Sequence, residues 1–269
     1  MGIAWGMRQR SRREREQLLE AFSRAVLLSE HRGPYATGVA WVKADGTYRV
    51  EKAPLPARQF IQMACYADCL NDIDEAVTVL MGHTRWPTRG SVDNPANNHP
   101  LLLPIHETRL RSPVIDTVGR PRQAVGHVAL CHNGHIANAT ERFQALGLPR
   151  TAQVDSELLV RLAQRHADRD GLDVNAFLAD LEPLHGRMSL SLVATTRPEE
   201  VLLLKGNMPL DVWYHPGIDV LVYASETRIL DRATGGGREW RPMPLPAATC
   251  AVVDRYHLDT PVLKPWQFG

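Results

Sequence analysis

The sequence predicts an α+β domain built on mostly antiparallel sheets, and three observations carry that prediction. A hairpin signature comes early: Ala36 to Val42 and Tyr48 to Lys52 flank Ala44-Asp45-Gly46-Thr47, whose Asp-Gly step suits a tight turn. Helical patterns fill the middle of the chain. The last third alternates short apolar runs with Pro and Gly turns, as in Ser189 to Thr195, Val201 to Lys205, Val220 to Ala224 and Ala248 to Val253. With 269 residues, no internal repeat and no Gly/Ser linker, residues 1–269 are expected to form a single domain.

The elements follow in order. Gly2-Ile3-Ala4-Trp5 reads as a short apolar strand. Ser11-Arg12-Arg13-Glu14 is a capping box that opens a helix, and Leu18, Leu19, Phe22, Ala25 and Val26 keep helical spacing until His31-Arg32-Gly33-Pro34 breaks it. A second helix is expected over Ala57 to Leu70, with Cys65 and Cys69 one turn apart as core residues, then a strand from Val77 to His83. Arg89 to Val125, rich in Pro, Asn and Arg, predicts a long irregular excursion. His127 to His132 reads as a strand, Asn138 to Leu146 as a helix with an Asn cap and Gly147 as its stop. Asp155 to His166 and Asp173 to Leu181 read as two more helices.

Composition excludes several partners. Lys+Arg 31 against Asp+Glu 30 leaves no basic excess for nucleic acid or an anionic membrane. Arg8, Arg10, Arg12, Arg13 and Arg15 interleave with Glu14, Glu16 and Glu20, which predicts a solvated helix face. Four cysteines are too few for a disulfide framework, and no leader opens the sequence, so a reducing cytoplasm is expected. No run approaches the ~18 apolar residues of a membrane span. Met1-Gly2 is a poor myristoylation start because Gly6 holds the position that wants Ser or Thr. His132-x-x-His135 lacks a matching third ligand, so neither metal nor cofactor is expected.

Three clusters carry chemistry: Gly82-His83-Thr84-Arg85-Trp86-Pro87-Thr88-Arg89-Gly90 at a strand end, His132-Asn133-Gly134 at another, and Asp155-Ser156-Glu157 at a helix start. Arg85 has the planar fork that clamps a carboxylate. Asn133 and the amide of Gly134 have the donors of an oxyanion hole, and Asp155 suits an ammonium. Together they describe a pocket for an α-amino acid whose side-chain carbonyl is attacked. Taken singly, each has a bland alternative: Arg85 paired with a core carboxylate, Asn133-Gly134 as a plain hairpin turn, Asp155 as a helix cap.

The motifs in order resemble the glutaminase domain of class II glutamine amidotransferases, the kind found at the N-terminus of glucosamine-6-phosphate synthase. The matching residues are Gly2-Ile3, Arg32-Gly33 with Gly38, Gly82 to Trp86, Asn97-Asn98-His99-Pro100, His132-Asn133-Gly134, Asp155-Ser156-Glu157, Lys205 to Leu210 and Tyr223-Ala224-Ser225-Glu226. The resemblance implies the four-layer αββα sandwich of N-terminal-nucleophile hydrolases. It implies that Arg85 and Thr88 hold the substrate carboxylate, Asp155 its ammonium, and Asn133 with Gly134 the oxyanion, while Arg32 and Trp86 shape the site. It also implies glutamine hydrolysis to glutamate and ammonia. No synthase domain is expected after the closing strands, so an active enzyme would either pass its ammonia to a separate synthase subunit or act as a free-standing glutaminase. Arg89 stands where the best-known members carry His.

The family's nucleophile is an N-terminal cysteine whose own α-amine serves as base. Here the residue ahead of Gly2 is Met1, and the first cysteine is Cys65. A thioether has no proton to lose and forms no thioester. Three readings follow, in this order: a cysteine missing from the sequence as written, a pseudo-enzyme that still binds an amino acid as a sensor or interaction module, and a rerouted nucleophile. Cys131, the one thiol near a motif, is expected to point into the core by strand alternation.

Overall fold

The structure is a computed structural model and describes residues 1–105, 113–115, 121–123 and 126–267. Its first half contains strands β1 (Gly2–Trp5), β2 (Ala36–Lys43), β3 (Tyr48–Ala53), β4 (Val77–Arg85), β5 (Leu101–Pro104), β6 (Pro113–Ile115), β7 (Pro121–Gln123) and β8 (His127–Ile136). The second half contains β9 (Ala167–Asp168), β10 (Gly171–Leu172), β11 (Gly186–Ala194), β12 (Glu200–Lys205), β13 (Asp211–His215), β14 (Val220–Ala224), β15 (Arg241–Pro242), β16 (Thr249–Asp254) and β17 (Val262–Pro265). The helices are α1 (Arg12–Leu28), α2 (Ala57–Phe60), α3 (Ala64–Asn71), α4 (Ala139–Leu146), α5 (Ser156–His166), α6 (Val174–Leu181) and α7 (Thr227–Thr234).

Two antiparallel sheets face each other, one in the order β15-β13-β14-β1-β4-β2-β3 and the other β17-β16-β12-β11-β8-β5. Alternation along each strand decides which layer a side chain enters. In β1, Ile3 and Trp5 turn outward to Leu18, Phe22 and Val26 of α1 and Ile229 and Leu230 of α7. Ala4, between them, turns inward to the layer where Val79, Met81 and Leu221 meet Ala129, Val193, Leu203 and Ala251. Beyond the second sheet, Leu158 and Leu162 of α5 and Phe177 and Leu181 of α6 cover Leu130, Leu190 and Leu204. These are the four layers of the αββα sandwich.

Local signals account for the helix ends. The Ser11 hydroxyl accepts from the Glu14 amide at 3.2 Å while the Glu14 carboxylate accepts from the Ser11 amide at 2.7 Å. Gly147 ends α4 in the left-handed region, φ +59°. Asn138 begins α4 without a side-chain cap; its amide instead bridges Pro183 O and His185 N.

Several expectations are corrected. The helix expected over 57–70 is broken into α2 and α3, and the break lets Phe60 and Tyr66 meet edge-on at 5.5 Å. Cys69 is buried as expected, but Cys65 is only half-buried. The excursion from Arg89 to Val125 is not wholly irregular: Leu101–Pro104 pairs with β8, and β6 and β7 form a hairpin. Residues 106–112, 116–120, 124 and 125 lie outside the described residues. The periodicity reading missed β13, α7 and β17. Arg8 and Arg10 precede α1 rather than lying on its face. Arg10 Nε donates to Ile218 O at 2.8 Å and Nη2 donates to Asp219 O, so this arginine ties the chain start to the β13–β14 turn. Burial brings its guanidinium down to about 10.

Candidate functional site

The end of β4, the middle of β8, the start of α5 and the first residue of the chain converge on a cavity of about 310 Å³. All seven residues singled out from the sequence line it: Arg32, Arg85, Trp86, Thr88, Asn133, Gly134 and Asp155. Met1, His83, His99, Ser156 and Ser225 line it too. The volume lies at the lower end of small-molecule sites, about 300–1,000 Å³.

Arg85 is 4% exposed and is held by its own loop, not by a core carboxylate. Nη1 donates to Asn98 Oδ1 at 2.8 Å, and Nη2 donates to Arg89 O at 2.5 Å and Gly90 O at 3.0 Å. Three of its five N–H groups are thereby used, leaving Nε–H and one Nη1–H. Burial lowers the guanidinium from its ordinary value, and the Asp155 charge opposes that shift. Trp86, 57% exposed, stands at the rim with Tyr35 edge-on at 5.1 Å, and Thr88 is exposed beside it.

Asp155 precedes α5 but does not cap it. Its Oδ2 accepts from the Ile136 amide at 2.5 Å, and His135 Nδ1 stands 3.2 Å from the same oxygen, close enough for an ion pair but not aligned for a hydrogen bond. Asp155 is only 3% exposed, and an anion so placed calls for a cation.

Asn133 is not a hairpin turn residue; it lies within β8, paired with Ser189. Arg32 Nη2 donates to its Oδ1 at 3.2 Å, which fixes the amide so that Nδ2 is the end left over. That Nδ2 is buried without a partner. Arg32 is itself held by Glu226, Nη1 to Oε1 at 2.7 Å. Partial burial works against ionisation of Glu226, yet hydrogen bonds from Arg32, His31 and Arg228 hold its carboxyl at about 2. Gly134 next door has φ +148°, and a Cβ there would lie 1.9 Å from Arg187 O. Only glycine brings its backbone this close.

Met1 continues the β1–β4 ladder: Gly82 N donates to Met1 O at 2.8 Å, and the Met1 amine donates to Gly82 O at 3.1 Å. Its side chain packs against the helix-side core, and a Cβ on Gly82 would come within 2.9 Å of Phe22 and 3.1 Å of the Met1 sulfur. Burial and then the Arg32 charge lower the amine from its ordinary value, with Cys131 acting the other way. Cys131 is buried in the inter-sheet layer, and burial raises its thiol to about 12, which makes it a poor nucleophile.

Sequence reasoning gave no role to the histidines that surround Met1, although three of the quoted motifs contain them. His83 Nε2 donates to His132 O at 3.0 Å; His132 Nε2 donates to Arg187 O at 3.3 Å, so its Nδ1 accepts from the Ser156 hydroxyl at 2.8 Å. The rings of His83 and His99 lie 4.3 Å apart. His83 Nδ1 and both nitrogens of His99 are buried without partners. Burial takes His83 down to about 3, aided by the Met1 amine, and takes His99 and His132 below their ordinary values. Among the described residues no group of three His, Cys, Asp or Glu is arranged to hold a metal ion, and no helix is long and apolar enough to cross a membrane.

Two antiparallel sheets between helical layers, with the first residue at a cavity between strand ends, define the N-terminal-nucleophile hydrolase fold. The same fold occurs in the glutamine phosphoribosylpyrophosphate amidotransferase from B. subtilis, which matches 100% of this chain and 50% of its own at TM-score 0.67 and 19% identity. Glutamine–fructose-6-phosphate aminotransferase (isomerizing) of Mycolicibacterium paratuberculosis is 28% identical over 225 residues, 76% of this chain and 31% of that protein. The Staphylococcus epidermidis protein of the same name is 29% identical over 195 residues, 71% of this chain and 28% of its own length. No family model matches. The homologues of this chain are thus class II glutamine amidotransferases, and the chain spans about a third of their length.

Proposed function

We propose that the cavity binds glutamine or a closely similar α-amino acid, with Arg85 and Thr88 on the carboxylate, Asp155 on the ammonium, and Asn133 with Gly134 on the side-chain carbonyl. Hydrolysis to glutamate and ammonia, the ammonia passing to a separate synthase subunit, requires a cysteine where this sequence has Met1. One observation carries the reading: a buried guanidinium, a buried carboxylate and an unpartnered amide donor line one cavity. Homology to glutamine-utilising enzymes supports the choice of ligand.

Met1 favours a second reading for the chain as written, a pseudo-glutaminase that senses an amino acid or serves as an interaction module. Its thioether cannot attack an amide, and burial between the sheets holds Cys131 as a neutral thiol. The two readings share the binding step and part at turnover.

Calorimetric titration with glutamine, glutamate and glutamine lacking its α-amino group tests the shared step. Glutamine is expected to bind, and Asp155→Asn to weaken glutamine while sparing the des-amino compound. Absence of binding, or equal binding by Arg85→Ala and the parent, overturns the assignment.

A further inference from the structure

The two walls of the cavity come from distant parts of the chain, and among the described residues one residue joins the loop after β4 to the turn before α5 by hydrogen bonds. Arg85 and its partners Arg89, Gly90 and Asn98 form one wall, and Lys52 ties that loop to β3 by donating to Asn98 O at 2.9 Å and Pro100 O at 3.1 Å. Asp155 stands on the other wall, just past a turn fastened to Glu157, which accepts from the amides of Thr151 and Ala152 at 2.8 and 2.7 Å. Among the described residues, every hydrogen bond between residues 86–98 and residues 151–155 is made by Gln153. Its amide N donates to Asn97 Oδ1 at 2.8 Å; its Oε1 accepts from Asn97 Nδ2 at 3.0 Å and from Ser91 N at 3.3 Å.

The partner is placed for this purpose. Asn97 is fully buried, and its Nδ2 also donates to Ser91 O at 2.8 Å. Gly90, at φ +75°, leaves room for the pair: a Cβ there would sit 2.7 Å from Asn97 Nδ2 and 2.9 Å from the Gln153 Cβ.

We infer that Gln153 and Asn97 form a latch that sets the spacing between the carboxylate clamp and the ammonium partner, and so selects ligands carrying both charges. This rests on the reading of the cavity as an α-amino acid site. Gln153 and Asn97 are positioning residues. Arg85's own hydrogen bonds all lie within its wall, so opening the latch leaves the clamp intact but lets it drift relative to Asp155. A ligand that touches one wall does not sense the drift; a ligand that spans both does.

Gln153 is exposed, so Gln153→Ala removes two accepted hydrogen bonds without opening the core. It is expected to weaken glutamine about 10-fold, the effect of losing two neutral hydrogen bonds, and the des-amino compound less than about 2-fold. Gln153→Glu keeps an acceptor at the same place, with no donor role to lose, and is expected to match the parent. Amide hydrogen exchange without ligand should show faster exchange at Ser91 in Gln153→Ala only. Equal weakening of both ligands, or no weakening of glutamine, overturns the latch while leaving the amino-acid reading standing. Failure of the parent to bind glutamine overturns that reading and the latch's role in recognition with it.

Discussion

The side of the cavity around Arg85 and Asp155 and the side around Met1 are built on opposite principles. Before any ligand arrives, Arg85 donates short hydrogen bonds to neighbouring carbonyl and amide oxygens and Asp155 accepts one from a backbone amide. Around Met1, polar atoms of Asn133, His83 and His99 are buried with nothing to bond. A carboxylate clamp gains from rigidity because the ligand brings a fixed pattern of charges. An oxyanion hole gains from donors whose partner appears only as the reaction proceeds. Around Met1 the unpartnered atoms are uncharged amide and imidazole groups, whereas on the other side the charged groups are already anchored and keep only part of their hydrogen-bonding capacity free.

The largest test of that contrast is Met1→Cys, made so that the cysteine is the first residue of the mature chain. Glutamate release measured by a coupled assay should go from undetectable to measurable, and should stay so after Cys131→Ala. Turnover by the unaltered chain would instead mean that another nucleophile serves the unsatisfied side.

Backbone crowding on the same side comes next. Gly134→Ala should cost about 2–4 kcal/mol in urea unfolding, because a strained φ and a backbone clash act together. Gly147→Ala is the control: its φ is also positive, but a Cβ there meets nothing within 4 Å, and about 1 kcal/mol is expected. Equal costs at the two glycines would remove the claim that β8 is pressed against Arg187.

On the recognition side, Arg85→Ala should weaken glutamine binding about 10- to 100-fold, from roughly 1.5–3 kcal/mol for a charged hydrogen-bonded contact. Arg85→Lys should recover little, since an ammonium cannot reproduce a planar fork. Full recovery by lysine would show that charge alone matters there.

The smallest effect is a slope. His83, His99 and His132 sit below their unfolded value of 6.5, so they take up protons only on unfolding. Stability from their burial is therefore complete above pH 6.5 and is lost as pH falls, for His83 until about pH 3. His83 should contribute about 1.4 kcal/mol per pH unit within that window. His99→Phe should reduce the slope of unfolding free energy between about pH 6 and pH 5 by one proton's worth. An unchanged slope would mean that His99 is already charged when folded.

Legibility in the sequence followed the range of the interactions. The α1 start and the α4 stop were readable because capping box and left-handed glycine are decided within four residues. The cavity residues were readable as motifs at strand ends. Gln153 was not, because its partners Asn97 and Ser91 lie more than fifty positions away and an exposed glutamine carries no periodic or compositional mark. Arg10 was misread for a related reason: its neighbours in sequence alternate in charge, whereas its actual partners are carbonyls of the β13–β14 turn. β5 was hidden by the prolines and asparagines around Leu101–Leu103, and its strand character comes from pairing with β8.

The central place of β1 in its sheet carries a consequence for how the molecule comes into being. Ile3 pairs with Val222 on one side and Leu80 on the other. β1 therefore lacks one of its two neighbours until β14 has been synthesised, and the closing of so long a loop is slow. Residue 1 reaches its final setting among Gly82, Asn133 and Ser225 only when that last neighbour docks. The surroundings of position 1, whatever residue stands there, are thus completed only when the two ends of this sheet's chain path have met.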